Sequence, residues 1–138
     1  MRWPGMRSEY AYIPAGEDAG TTGRRQIGVS FSGHAKAVYE SGARTREEDI
    51  ASGSVLVTAD EPIRWLRVRE PSESIEIYFE PALDLPPAFA VDDPVVLAVA
   101  SILKRAHRAE AYLSDVRASG LAHLLRRHAL ERYGGHER

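Results

Sequence analysis

The hydrophobic pattern of this chain changes its period once, and that change decides what it can fold into. From the N-terminus to about Pro81 apolar and polar residues alternate in short runs, and beyond Asp93 the apolar residues recur every three to four positions. Alternation marks strands with one buried face, and a recurrence near 3.6 marks helices with one buried stripe. The expected order is therefore a β body followed by helices. At 138 residues the chain suits one domain, with 1–90 as the body and 91–138 as a helical element of the same domain.

Within the body, the run 26–32 places Ile27, Val29 and Phe31 on one face, and the run 74–80 does the same with Ile75, Ile77 and Phe79. Strands are also expected over 7–13, 34–40, 45–50, 54–59 and 63–68, separated by Ser41-Gly42, Ser52-Gly53 and Asp60-Glu61-Pro62, which carry turn chemistry. A loop rich in Gly and Thr is expected after Ile13, through Gly23. Seven short strands at this spacing predict an antiparallel sandwich or barrel.

Asp93-Pro94 is a helix start, because an Asp oxygen accepts from free backbone N–H groups and Pro at the first position loses no bond. Val95, Val96, Val99, Ile102, Leu103 and Ala106 supply the stripe of that helix. A second helix, from about Tyr112 to Tyr133, carries Leu113, Val116, Gly120, Leu121, Leu124 and Leu125 on its apolar side. Arg126, Arg127 and Arg132 fall in its last turns, where the helix dipole favours cations, and Gly134-Gly135 ends it. A short connector around 109–111 makes the pair antiparallel.

Composition excludes several functions. There is no cysteine, hence no disulfide framework and no thiolate metal site or nucleophile. A net charge of −2 provides no basic field for nucleic acid. The N-terminus lacks the apolar core of a signal peptide, and the longest apolar run, Pro94 to Ala100, is too short to span a bilayer, so a cytoplasmic protein is expected.

Catalytic and metal motifs are thin. Of the five histidines only His34 falls on an expected strand; His107, His123 and His128 lie on the helices and His136 in the tail, so no strand pair offers metal-ligand spacing. No nucleophile elbow and no phosphate loop occurs, and Glu47-Glu48-Asp49 reads as a solvated strand edge. No catalytic residue, metal or cofactor is expected, and an enzyme is the lesser expectation. The aromatic residues Tyr10, Tyr12, Phe31, Tyr39 and Trp65, with Ile77, read either as plain core or as the lining of a barrel that holds a small ligand. On the helices, Val99, Ile102, Gly120, Leu121, Leu124 and Leu125 are candidates for a homodimer interface, because a hairpin at one end of a barrel cannot bury both stripes.

Taken in order, Trp3-Pro-Gly-Met-Arg-Ser-Glu-Tyr10, Ile13-Pro-Ala-Gly-Glu17, Ser32-Gly33, Ser41-Gly-Ala-Arg-Thr-Arg46, Gly53-Ser-Val-Leu-Val57 and Glu61-Pro-Ile-Arg-Trp65 resemble the N-terminal sensor domain of AraC-type transcriptional regulators. Ala122-His-Leu-Leu-Arg-Arg127, after Tyr112 and Ala118-Ser-Gly120, is similar to the second helix of that family's hairpin. The resemblance implies a cupin-like antiparallel jelly-roll barrel (a double-stranded β-helix) that senses a small effector, followed by an antiparallel helical hairpin that dimerises the regulator. It implies pairing with itself or with a full-length AraC-type regulator, and no membrane partner. The family's DNA-binding helix-turn-helix domain is expected to be absent, since the chain stops three residues after Gly135. Ile63 stands where many relatives carry histidine after Glu-Pro, and Ser54 where many carry aspartate, which argues against a retained metal. The rival expectation is a stand-alone small-molecule-binding cupin or a degenerate cupin enzyme.

Overall fold

The computed structural model describes residues 1–21, 23–31, 35–41, 44–59 and 63–134. Ten strands precede two helices: β1 (Arg2–Trp3), β2 (Met6–Ile13), β3 (Gly16–Thr21), β4 (Gln26–Ser30), β5 (Ala35–Ser41), β6 (Arg44–Ile50), β7 (Val55–Thr58), β8 (Ile63–Val68), β9 (Ser72–Phe79), β10 (Ala88–Val91), α1 (Pro94–His107) and α2 (Asp115–Arg132). They form a six-stranded sheet, β1-β2-β9-β4-β7-β10, and a four-stranded sheet, β3-β8-β5-β6. Every pairing is antiparallel. The two sheets are separate hydrogen-bonded units and do not close into one barrel.

The loop expected after Ile13 is instead β3. It pairs with β8 through Gly16↔Val68, Glu17↔Arg67, Gly20↔Trp65 and Thr21↔Arg64, with an irregularity between Glu17 and Gly20. A partner strand supplies the hydrogen bonds that this weakly strand-forming sequence needs, and glycine accommodates the irregularity. The expected strand residue His34 and the tail residue His136 lie outside the described residues.

Strand register divides the large sheet into two unlike faces. The cross-strand pairs Met6↔Phe79, Ser8↔Ile77 and Tyr10↔Ile75, continued by Ile27↔Ile77 and Val29↔Ile75 and then by Ile27↔Val57 and Val29↔Val55, form one face. This face is apolar and lies under the helices, joining Val96, Val99, Ala100 and Leu103 of α1 and Ala118, Ala122, Leu125 and Ala129 of α2 in a single core. Each fully buried Ile or Leu there contributes about 1.5–3 kcal/mol of transfer free energy. The opposite face, with Gln26, Ser30, Leu56, Thr58, Ser72 and Ser74, is also buried, and the layer available to cover it is the four-stranded sheet, whose Ile50 and Val68 are buried too.

The helices start where capping chemistry dictates. Asp93 Oδ1 accepts from the backbone N–H groups of Val95 at 3.1 Å and Val96 at 3.2 Å. The second helix begins at Asp115 rather than near Tyr112, because Ser114 Oγ accepts from the Arg117 N–H at 3.2 Å and fixes the first turn. Its buried stripe is also rotated from the expected one. Ala118, Ala122 and Ala129 face inward together with Leu125, so the helix approaches closely: a β-carbon on Gly5 would lie 3.7 Å from Ala122 Cβ. Val116, at 84% exposure, and Leu124, at 49%, point outward.

Candidate functional site: a polar cleft on the large sheet

The face of the large sheet turned away from the helices is built from the second set of alternating residues. Register sets Arg7 beside Tyr78 and Glu9 beside Glu76 across β2 and β9, Gly28 beside Glu76 and Ser30 beside Ser74 across β4 and β9, and Gln26 beside Thr58 across β4 and β7. Gln26, Gly28, Val29, Ser30, Leu56, Ser74 and Glu76 line a cleft there, with about 10 Å³ open to the centre of a water molecule. That is room for about one water.

Gly28 has no side chain to fill the floor between Glu76 and Leu56, and a β-carbon placed on it would meet Gln26 Nε2 at 3.6 Å, an ordinary contact. Gln26 itself is 3% exposed. Its amide group hydrogen-bonds the Glu76 carboxylate, which fixes the orientation, since a carboxylate accepts and only the NH₂ can donate. The other end, Oε1, is buried and has no hydrogen-bond partner, the one such side-chain atom among the described residues. Leaving a buried acceptor unpaired costs about 1–3 kcal/mol. The turn that delivers Gln26 is pinned on both sides. Thr58 Oγ1 accepts from the Gln26 N–H and donates to the Gly23 carbonyl, each at 3.2 Å, and Arg25 adopts φ +52°. A β-carbon on Gly23 would collide with the Tyr78 hydroxyl and lie 2.9 Å from Gln26 Oε1, which is why only glycine fits.

Burial raises the Glu76 carboxyl above its ordinary range, and the Glu9 charge across the strand adds to this. The Gln26 and Tyr78 side chains and, last, the Arg7 charge oppose the rise without cancelling it. Arg7 lies 3.3 Å from Glu9 and 3.9 Å above the Tyr78 ring, so it serves the rim of the cleft. Burial likewise raises the Tyr78 phenol. The inner carboxylate therefore faces a neighbouring carboxylate, and the Arg7 charge is the weakest of the effects given for it.

The aromatic residues expected to line a ligand cavity are placed differently. Ile77 is fully buried in the core beneath the helices. Tyr10 lies on the same face, its hydroxyl donating to Glu73 and its ring stacked with His107 at 6.3 Å between centroids. Phe31 packs against that core with the Lys104 ammonium 4.4 Å from its ring centre, and Tyr12 is 61% exposed. Tyr39 and Trp65 lie on β5 and β8 respectively, and their side chains fall outside what the structure describes. Because helices cover the apolar face, the apolar side is not the space between the sheets. Gln26, Ser30, Ser74 and Glu76 are the residues that the expectation missed. Their signal was present in the polar half of each alternation, 26-28-30 and 72-74-76-78.

The expected interface residues also separate. Val99 and Leu125 belong to the chain's own core, so they are withdrawn from any partner, and Ile102 and Leu121 are half-buried against it. Gly120 and Leu124 remain on the surface of α2. A groove lined by Val95, His123, Leu124, Arg127, His128 and Glu131 runs beside them.

No described group of three or more His, Asp or Glu residues is placed to hold a metal ion. Among the described residues no helix is long and apolar enough to cross a membrane. No family model matches the chain, and no curated protein matches it.

Proposed function

We propose that this chain is the sensor and dimerisation module of an AraC-type transcription regulator: a cupin-like jelly roll that takes a small polar effector between its sheets and self-associates through α2. In this reading it acts in the cytoplasm, is not an enzyme, pairs with itself or with a full-length regulator, and does not touch DNA. The observation that carries the reading is the buried, unpaired Gln26 Oε1 beside a cleft of hydroxyls and one carboxylate. A wall that is only structural gains nothing from an orphaned acceptor, whereas a recognition wall leaves one for its ligand to satisfy.

Three further observations support it. The strand orders β2-β9-β4-β7 and β3-β8-β5-β6 interleave the chain between two layers, as a double Greek key does. The outward face of α2 presents Val116, Gly120 and Leu124, an apolar strip next to the Arg127–Glu131 pair, which can exchange partners with a second copy. Three of the four arginines of α2, those in its C-terminal half, already have partners within the chain. Arg126 donates to the Pro81 carbonyl at 2.8 Å, Arg127 to Glu131 at 3.2 Å and Arg132 to the Asp92 carbonyl at 2.9 Å.

The test is a thermal-shift screen of small amines, polyols, carboxylates and nucleosides against the native protein and Gly28→Val. An effector that enters the cleft raises the melting temperature of the native protein in proportion to occupancy and leaves Gly28→Val unmoved. Equal shifts in both proteins, or none with any class, would overturn the reading.

A further inference from the structure

We propose that His107, in the last turn of α1, is an acid-sensitive joint between the helical layer and the N-terminal strands: the neutral ring fastens α1 to β1 and β2, and the protonated ring lets them part.

The joint begins with a misfit in the sheet. Along β2 the positions under the helices are Met6, Ser8 and Tyr10, and register sets Ser8 opposite Ile77, so a hydroxyl stands in an apolar face. Ser8 is fully buried, where a hydroxyl without a partner would cost about 1–3 kcal/mol. His107 Nε2 meets that hydroxyl at 2.8 Å, joining residues 99 apart in the chain. The same half-buried ring stacks on Tyr10 at 6.3 Å between centroids and stands perpendicular to the Trp3 ring at 6.4 Å. Both N-terminal strands therefore hold one side chain of α1.

Charge decides which form of the ring fits. The Met1 ammonium donates to the Ser8 carbonyl at 2.7 Å, on the residue that His107 itself engages. Burial, and after it the charge of that ammonium, lower the His107 pKa from its ordinary value. The acids of this corner already face cations: Glu73 of β9 accepts from the Tyr10 hydroxyl and lies 3.0 Å from Arg108 and 4.0 Å from Lys104, and Glu110 lies 3.0 Å from Arg108. Protonation also changes the hydrogen bond. With its proton on Nδ1 the neutral ring accepts from Ser8, whereas imidazolium can only donate, which turns the hydroxyl proton towards the apolar face. The stability that this joint contributes is thus fully present well above the unfolded value of 6.5 and is lost as pH falls from there through the lower folded pKa.

Nuclear magnetic resonance of the native protein and of His107→Gln, from pH 8 to pH 5, tests this. Glutamine keeps a hydrogen-bonding group for Ser8 and does not titrate. Two signals are read: the His107 ring Cε1–H shift, and the exchange of the Ser8 amide, which donates to the Met1 carbonyl at 2.8 Å, corrected for the intrinsic pH dependence of exchange. The expected result is a His107 midpoint below 6.5 and a Ser8 amide that loses protection as pH falls, about tenfold for every pH unit separating that midpoint from 6.5, while the amides of β7 keep theirs. In His107→Gln the loss disappears. A loss that persists in His107→Gln comes from the Met1 ammonium or another histidine and overturns the proposal. A His107 midpoint at or above 6.5 overturns it too, as does Ser8 protection that stays flat through the midpoint, and these two readings on the native protein decide the matter even where the variant fails to fold.

Discussion

His128 Nε2 lies 2.8 Å from Asp93 Oδ2, joining residues 35 apart and tying the last turns of α2 to the first turn of α1. The same carboxylate caps α1 through Oδ1, accepts from the Tyr133 hydroxyl at 2.5 Å and has Arg132 at 3.4 Å. One fully buried side chain thus holds both ends of the helical layer. Burial alone would raise its pKa, but the hydrogen bonds from Tyr133, His128 and the Val96 N–H outweigh burial and hold it below the ordinary carboxylate value.

Replacing this carboxylate should therefore loosen the helices from the sheet. Asp93→Ala removes the cap and strands the Tyr133 hydroxyl, an expected loss of about 2–4 kcal/mol. Its folded pKa is depressed, so the stability it contributes is present above the unfolded value of 3.8 and is lost as pH falls from there through the folded pKa. Urea midpoints of the native protein and Asp93→Asn, compared at pH 7 and pH 3, should differ most at pH 7. A gap that stays constant between the two would mean that the carboxylate's ionisation is not what matters.

The alanine face of α2 makes a second prediction. Ala122 is buried beside the β1–β2 turn, its Cβ 3.7 Å from where a β-carbon on Gly5 would lie. Ala122→Leu should cost about 1–3 kcal/mol by overpacking, whereas Val116→Ala, on the outer face of the same helix, should change stability by less than about 0.5 kcal/mol. Chemical denaturation of the two variants side by side checks the orientation of the helix. Comparable losses from both would contradict it.

These two results bear on how much could be read from residues alone. Strand positions were legible because Ile27, Val29 and Phe31, and Ile75, Ile77 and Phe79, keep strict alternation, and α1 because Asp93-Pro94 is unambiguous cap chemistry. The side of the sheet that faces the space between layers was not legible. Alternation states that a strand has two different faces, but whether helices or a second sheet cover the apolar one is a tertiary fact, and here the helices do. The rotation of α2 was hidden for a related reason. Side-chain size suggests a leucine stripe, while close packing on a sheet rewards alanine, and Ala118, Ala122 and Ala129 carry little hydrophobic signal individually.

In the proposed dimer, Leu124 is the surface residue on which self-association would turn. It is 49% exposed and lines the groove that also contains Val95 and Arg127. Leu124→Glu should raise the dimer dissociation constant at least about thirtyfold, the loss of about 2 kcal/mol that a central apolar contact contributes, without moving the melting temperature of the monomer. Sedimentation equilibrium reads the first and calorimetry at low concentration the second. A native protein that is monomeric at high micromolar concentration, or a variant that associates as well as the native one, would remove α2 from the interface.

The cleft predicts an unusual sign. Most buried polar groups stabilise a fold, but Gln26 Oε1 is unpaired and Glu76 has its folded pKa raised, so the fold gives up stability to hold them. A carboxyl group whose folded pKa is raised disfavours folding most when it is ionised. The penalty is absent below the unfolded value of 4.5 and grows as pH climbs through the folded pKa. Glu76→Gln should therefore be more stable than the native protein at pH 8 and lose that advantage at pH 4. Gln26→Leu should gain up to about 1 kcal/mol, because it removes the orphaned oxygen and fills the same volume, set against one lost hydrogen bond to Glu76. Guanidinium unfolding at both pH values measures these differences. Destabilisation by Glu76→Gln at pH 8 would mean that the carboxylate is held by interactions stronger than those around it here, and that the cleft belongs to the scaffold rather than to a ligand.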